Sequence, residues 1–121
     1  MALKSLKILT TGTRRGFGRF IAKKLNTYKF DRSLKFCDLD KNYDVIIHCA
    51  SNSCKNILSN DFYKFSYDNF FLTTELLKLN FKHFIFISSV GIYPQSQKVY
   101  NEKSNFEIKT RNNYEFLKIM S

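Results

Sequence analysis

The chain has 121 residues and a mass of 14.3 kDa, enough for a single domain. Its 44% hydrophobic and 25% charged residues make a globular composition, which excludes a disordered chain, and no apolar run approaches the ~20 residues that span a membrane. Twenty Lys and Arg against ten Asp and Glu give a net charge of +10, but the lysines are scattered and only Lys23 and Lys24 adjoin, which describes a solvated surface and not a nucleic-acid stripe.

The N-terminus, Met-Ala-Leu-Lys-Ser-Leu-Lys, has no apolar core and no cleavage site, so a cytoplasmic protein is expected. Leu6–Thr11 is a short apolar run that predicts a buried strand. It meets Thr11-Gly12-Thr13-Arg14-Arg15-Gly16-Phe17-Gly18, which holds three of the four glycines. From Gly16 to about Tyr28, Phe17, Phe20, Ile21 and Leu25 recur at helical spacing and predict a helix with these residues inward. Between a strand and a helix, such a turn has a mechanical purpose. Gly12 permits the tight turn, Gly16 leaves room for a diphosphate, and Gly18 lets helix and strand approach. The helix N-terminus then offers amides and partial positive charge to the anion.

Leu34–Cys37 reads as a short strand ending at Asp38. Asp44–Cys49 reads as a strand covered on both faces, because Val45, Ile46 and Ile47 run together. It delivers Cys49, Ala50 and Ser51 to the strand end. His48, late in that strand, reads as a satisfied core residue. Asp61–Leu79 predicts the longest helix, with Phe62, Phe65, Asn69, Phe70, Thr73, Leu76 and Leu77 near one face. His83–Ser88 predicts another buried strand, and Lys98–Lys109 a polar loop. Asn112–Met120 predicts a helix with Asn112 or Asn113 as cap. The three cysteines, Cys37, Cys49 and Cys54, lack metal-ligand spacing, so reduced thiols and no metal site are expected. This order predicts an α/β domain over residues 1–121, a Rossmann-like, doubly wound, mostly parallel sheet with ligands at the strand C-terminal ends. Only Leu39–Tyr43 separates Asp38 from Asp44, too little for a parallel crossover, so the second and third strand region is expected to be reduced.

Two further motifs add chemistry. Phe86-Ile87-Ser88-Ser89-Val90-Gly91-Ile92-Tyr93 ends a strand in two hydroxyls. Tyr114-Glu115-Phe116-Leu117-Lys118 puts Tyr and Lys at i and i+4 on one helix face, where an ammonium lowers the phenol pKa for acid/base work. Together, in this order, the motifs resemble the short-chain dehydrogenase/reductase superfamily. The middle of the chain is most similar to the extended branch, the NAD-dependent epimerase/dehydratase family. Asp44-Val45-Ile46-Ile47-His48-Cys49-Ala50, Asn69-Phe70-Phe71-Leu72-Thr73-Thr74-Glu75-Leu76-Leu77, Ser88-Ser89 with Tyr93, and Glu102 all match its pattern, and the resemblance runs from residue 6 to 118.

The resemblance implies an NAD(P)-dependent epimerase, dehydratase or reductase acting on a nucleotide-sugar or similar carbonyl or alcohol, an oxidoreductase or isomerase working by hydride transfer. Ser89 would polarise the reacting oxygen. Tyr114 would be the acid/base, and Lys118 would lower its pKa and hold the nicotinamide ribose. Gly12, Arg15, Gly16, Phe17 and Gly18 would cradle the diphosphate, Asp38 would meet the adenine, and Cys49, Ala50, Ser51 and Ser88 would line the cofactor. NAD and NADP both stay open, since Arg15 can pair with a 2′-phosphate, whereas Asp31 at the end of a second strand would argue for NAD. The family continues well past Lys118 into a substrate lobe, so an incomplete domain is expected, with poor dinucleotide binding and no turnover by this piece alone. A homo-oligomer stays open. Neither nucleic acid nor a membrane is expected as a partner. The competing readings are a non-catalytic dinucleotide-binding remnant or scaffold and, on the +10 charge alone, a basic nucleic-acid binder.

Overall fold

Residues 5–31, 33–51, 62–87, 101 and 103 are described by a computed structural model of the chain. The chain divides into two compact units, Met1–Ser51 with Glu75–Ile87, and Asn52–Thr74 with Ser88–Ser121. The first unit is built on strands β1 (Ile8–Thr11), β2 (Tyr28–Phe30), β3 (Asn42–His48) and β4 (Asn80–Phe86). They form one all-parallel sheet in the order β2-β1-β3-β4. Leu9 and Ile46, paired across β1 and β3, are fully buried. This is the Rossmann-like frame expected from the alternation of strands and helices. Because β1 leads to β2 on one side and β3 lies on the other, the sheet has a switch point between the ends of β1 and β3. Ligands of open α/β sheets bind in that crevice.

Helix α1 (Gly16–Leu25) follows β1, packs against it and is shorter than expected. Its inner face is not the predicted one: Phe17, Phe20 and Leu25 are 54%, 55% and 52% exposed, and the buried residues are Gly18 and Ala22. The reason is distance. A Cβ on Gly18 would collide with the carbonyl oxygen of Gly12, so the helix lies too close to the strand for any large side chain to point inward. Gly18 and Ala22, four apart, supply the flat face that this approach needs. The helix ends at Asn26, which caps it in the left-handed conformation at φ 49° with its amide donating to Ala22 O. Asn tolerates that region better than most residues, but glycine does so without a Cβ penalty. Asn26→Gly should therefore raise stability by about 0.5–1 kcal/mol, read as a higher denaturation midpoint. An unchanged or lower midpoint would contradict the strain.

Asn26 stops the helix early enough for Tyr28–Phe30 to be a strand, where the sequence had suggested the helix end. The predicted Leu34–Cys37 strand does not form, and Phe36–Asp38 is a 3-10 turn. Residues 31–41 must carry the chain from β2, past β1, to β3, and a connection that short leaves no length for another strand with its crossover. At the amino edge of the sheet Asp44 ties β3 to β1: the Lys7 amide donates to Asp44 Oδ2, and the Asp44 amide to Lys7 O, each at 2.8 Å. The Lys7 ammonium pairs with Asp40 at 2.6 Å and lies over the rings of Tyr28 and Tyr43, and burial pushes the Tyr43 phenol pKa up.

The described part of the second unit between residues 62 and 74 is helical. Helix α2 (Phe62–Ser66) runs into a π turn at Tyr67–Phe71, and α3 (Leu72–Leu77) continues from it into the first unit. Ser66, Asn69, Leu72, Thr73 and Leu76 are buried, whereas Leu77, expected on the same face, is 49% exposed. The extra residue in each π hydrogen-bonded ring rotates the face away from strict 3.6 periodicity. The predicted segments at 98–109 and 112–120 lie outside the described residues, apart from Asn101 and Lys103, where the Lys103 amide donates to Asn101 Oδ1 at 2.9 Å.

Candidate functional site

The site starts where β1 stops. Gly12 has φ 70° and Gly16 φ 66°, a left-handed conformation that costs other residues about 1–2 kcal/mol. The three glycines differ in what surrounds them. A Cβ on Gly12 would stand 2.7 Å from the Ala50 nitrogen and 2.8 Å from Cys49 C, so the turn lies directly on the segment after β3. Gly18 is closed by Gly12 itself. Gly16 is open, and a Cβ there would meet nothing within 4 Å. Arg15 occupies the N-cap of α1 without a side-chain hydrogen bond, and the first turn carries no acidic residue. The first amides of a ten-residue helix are thus left to an outside acceptor beside an open backbone. That combination fits a diphosphate.

The floor of the crevice is polar but paired. Thr11 and His48 stand opposite one another across β1 and β3 and are 0% and 1% exposed. Thr11 Oγ1 lies 2.7 Å from His48 Nδ1 and accepts the Ala50 amide at 3.1 Å. His48 also stacks obliquely on Phe86 and meets Phe84 edge-on. It is a buried, hydrogen-bonded core residue, as its place late in a strand suggested.

Asp31 follows directly on β2. Ser33 donates both its hydroxyl and its amide to Asp31 Oδ1, and Arg14 Nε stands 4.0 Å from Oδ2. The Ser33 hydroxyl above all, then its amide and the Arg14 charge, hold the Asp31 carboxyl below the usual carboxylate range. Arg14, not Arg15, is thus the cation beside Asp31. The sequence offered no sign of this ion pair, because it depends on where the turn puts two adjacent arginines.

Of the residues singled out from the sequence, Gly12, Arg15, Gly16, Phe17 and Gly18 lie on this turn and the first turn of α1, with Cys49, Ala50 and Ser51 immediately after β3. Asp38 lies exposed in the 3-10 turn and ends no strand. Ser88, Ser89, Tyr114 and Lys118 lie outside the described residues. A shallow cavity of about 350 Å³ lies at the opposite, amino edge of the sheet, lined by Tyr43, Asp44, Phe81 and Lys82 among others. Its Lys82 and Asp44 are paired with each other at 3.0 Å, and it is remote from the glycine turn. Among the described residues no helix is long and apolar enough to cross a membrane.

The sequence profile of the NAD dependent epimerase/dehydratase family matches residues 8–121. No curated protein matches the chain. Among solved structures, it is similar to MoeE5 in complex with UDP-glucose and NAD, with a TM-score of 0.76 at 16% identity over 94% of this chain and 46% of that one. A UDP-glucuronic acid 4-epimerase mutant from Bacillus cereus, in complex with UDP-4-deoxy-4-fluoro-glucuronic acid and NAD, gives a TM-score of 0.75 at 16% identity over 95% of this chain and 49% of that one. The chain thus spans about half the length of the structures it matches.

Proposed function

The chain belongs to the NAD dependent epimerase/dehydratase family, and from that membership we propose that it is the cofactor-binding part of an NAD-dependent enzyme acting on a nucleotide-linked sugar. The observation that carries this reading is the open Gly16 backbone at an uncapped helix N-terminus, at the switch point of a parallel sheet. The NAD and UDP-sugars named for the two similar structures support the substrate class.

In this reading the amides of Gly16, Phe17 and Gly18 and the nearby guanidinium groups of Arg14 and Arg15 hold the diphosphate. Gly12 and Ala50 close the floor beneath it, and Cys49 and Ser51 line the next stretch of cofactor. A bound nicotinamide supplies a ring that takes up and returns a hydride. Ser89 polarises the reacting oxygen, Tyr114 holds or moves its proton, and Lys118 keeps the phenol acidic and binds the ribose. The order Ser-Ser, then Tyr-x-x-x-Lys, within a family match that extends to residue 121 supports these three roles.

Asp31 favours NAD over NADP. A carboxylate at the end of β2 accepts hydrogen bonds from a ribose diol and repels a 2′-phosphate. Because Ser33 lowers its pKa, Asp31 keeps its charge above the ordinary carboxylate value and loses it only as the pH falls through the lowered one, so the preference should persist into mild acid. Titrations of the wild type and Asp31→Ser with both dinucleotides test the reading. The wild type should prefer NAD by about tenfold, near 1.4 kcal/mol and of the size of one charged hydrogen bond. The variant should lose most of that margin, since Arg14 is then released toward a 2′-phosphate. Binding of neither dinucleotide would remove the functional reading, and a wild-type preference for NADP would remove the role given to Asp31.

A further inference from the structure

We propose that the outward face of α1 docks on an anionic lipid bilayer, seated through Phe20, Lys24 and Leu25 and drawn in by Arg19 and Lys23. The inference is independent of the cofactor reading above.

The apolar stripe of this helix faces the wrong way for a core. Phe17, Phe20, Ile21 and Leu25 fall within one arc of about 140° on a helix that turns ~100° per residue. In most surface helices such an arc is turned inward. Here Gly18 and Ala22 take the inward position, and Phe17, Phe20 and Leu25 stay more than half exposed. The close approach to β1 that Gly18 permits also excludes these larger side chains from beneath the helix. They are therefore held out to solvent by the way the helix is docked.

The charge around the arc has one sign. Arg14, Arg15, Arg19, Lys23, Lys24 and Lys29 are all exposed, and no Asp or Glu stands between residues 14 and 29. Arg14 is drawn to Asp31, but among the described residues no carboxylate pairs with Arg19, Lys23 or Lys24. Lys24 lies within the apolar arc, its ammonium 6.0 Å from the Phe20 ring centre, and helical spacing puts Arg19 and Lys23 along one side of it. Aromatic and aliphatic groups at the centre, with cations on long stems around them, match an interface where hydrocarbon lies beneath anionic headgroups. A second copy of the chain would bring the same unbalanced charge and be repelled. The face of a single helix is convex and its cations are flexible, so it fixes no register for an acidic protein, whereas a fluid lipid surface needs none. Among the described residues no helix can cross a membrane, but lying on one requires only an amphipathic face. Because α1 runs back from the glycine turn toward the amino edge of the sheet, contact through Phe20 to Leu25 leaves that turn open.

The test mixes the full chain with vesicles of phosphatidylcholine alone and of phosphatidylcholine with phosphatidylserine. Cosedimentation should show an affinity at least about tenfold higher for the anionic vesicles, falling as salt is raised. The chain contains no Trp, so Phe20→Trp places a lone indole on the face, and its emission should move to the blue with the anionic vesicles only. The double variant Lys23→Glu, Lys24→Glu should bind about tenfold or more weakly. The control Lys35→Glu, Lys41→Glu makes the same charge change at exposed residues elsewhere and should bind much more nearly like wild type. The variant Phe20→Ser, Leu25→Ser should keep its melting temperature and lose about tenfold in affinity. Equal losses in the two charge variants, or no loss in the Phe20 and Leu25 variant, would trace the attraction to net charge alone and overturn the proposal. Unshifted indole emission from vesicle-bound protein would also overturn it. Polyglutamate or single-stranded RNA bound as tightly as the anionic vesicles would identify a soluble polyanion and overturn it as well. If the Phe20 and Leu25 variant does not fold, the indole emission and the two charge variants decide.

Discussion

Gly18→Ala should strongly destabilise the fold. The added methyl would be driven into the Gly12 carbonyl and also approach Thr11 O at 3.0 Å. Both are backbone atoms, and neither can swing aside as a side-chain tip would. Relief requires α1 to lift from β1, which uncovers the Ala22 contact and opens the turn. Overpacking of this kind costs about 3 kcal/mol or more, a large share of the ~5–15 kcal/mol that stabilises an ordinary domain. Denaturant titration followed by far-ultraviolet circular dichroism should show a sharply lowered midpoint or no cooperative transition. A wild-type midpoint would mean that helix and strand are further apart than Gly18 implies.

Gly16→Val, two residues away, should have the opposite profile. Nothing stands within 4 Å of the new Cβ, so the fold meets only the cost of a left-handed φ, about 1–2 kcal/mol and somewhat more for a β-branched residue. The side chain would project into the space assigned to the diphosphate, and NAD binding should fall by about a hundredfold, the loss of two charge-assisted hydrogen bonds. Gly16→Asn separates obstruction from strain, because Asn tolerates the left-handed region. It should fold nearly as well as wild type and still bind poorly. Calorimetry that finds equal NAD affinity in wild type and both variants would rule out this turn as the phosphate site.

The contrast between these glycines was legible in the sequence, and so were β1, β3 and the presence of β4. Strands β1, β3 and β4 each contain a run of large apolar residues, and three glycines in so short a stretch of a glycine-poor chain mark a special backbone. But β4 was expected to be buried and none of its residues is, Ile85 being 46% exposed, because it stands at the end of the strand order with only β3 beside it among the described strands. Strand β2 was hidden because Tyr28-Lys29-Phe30 is too short to show a period, and because an asparagine in the left-handed region does the helix-stopping work usually read from glycine. The Leu34–Cys37 segment alternates like a strand and fails to become one for a reason no local pattern contains, the length of chain left to reach β3. The inward face of α1 was misread for a similar reason. Hydrophobic periodicity finds the face that could be buried, but the closeness set by Gly18 selected the small residues instead. Thr11 and His48 are 37 residues apart in sequence, and their contact follows from the β1–β3 register alone.

The all-parallel sheet also dictates the order in which the chain can acquire structure. Among the described residues no strand pair is joined by a hairpin. The side-chain contacts that tie β1 to β3 and β3 to β4 close loops of 37 and 38 residues, and each loop costs entropy before its contacts form. Helix α1 and the β1–β2 pair can assemble as soon as residue 30 is available, but β1 remains without its second neighbour until the whole of β3 has been made. During synthesis the edge of β1 that pairs with β3 therefore keeps its backbone N–H and C=O groups unpaired while more than a dozen further residues emerge. Folding should accordingly be slow for a chain of this size, as for other topologies dominated by distant pairings, and the window before β3 docks is when the nascent chain is most open to capture by chaperones or to aggregation.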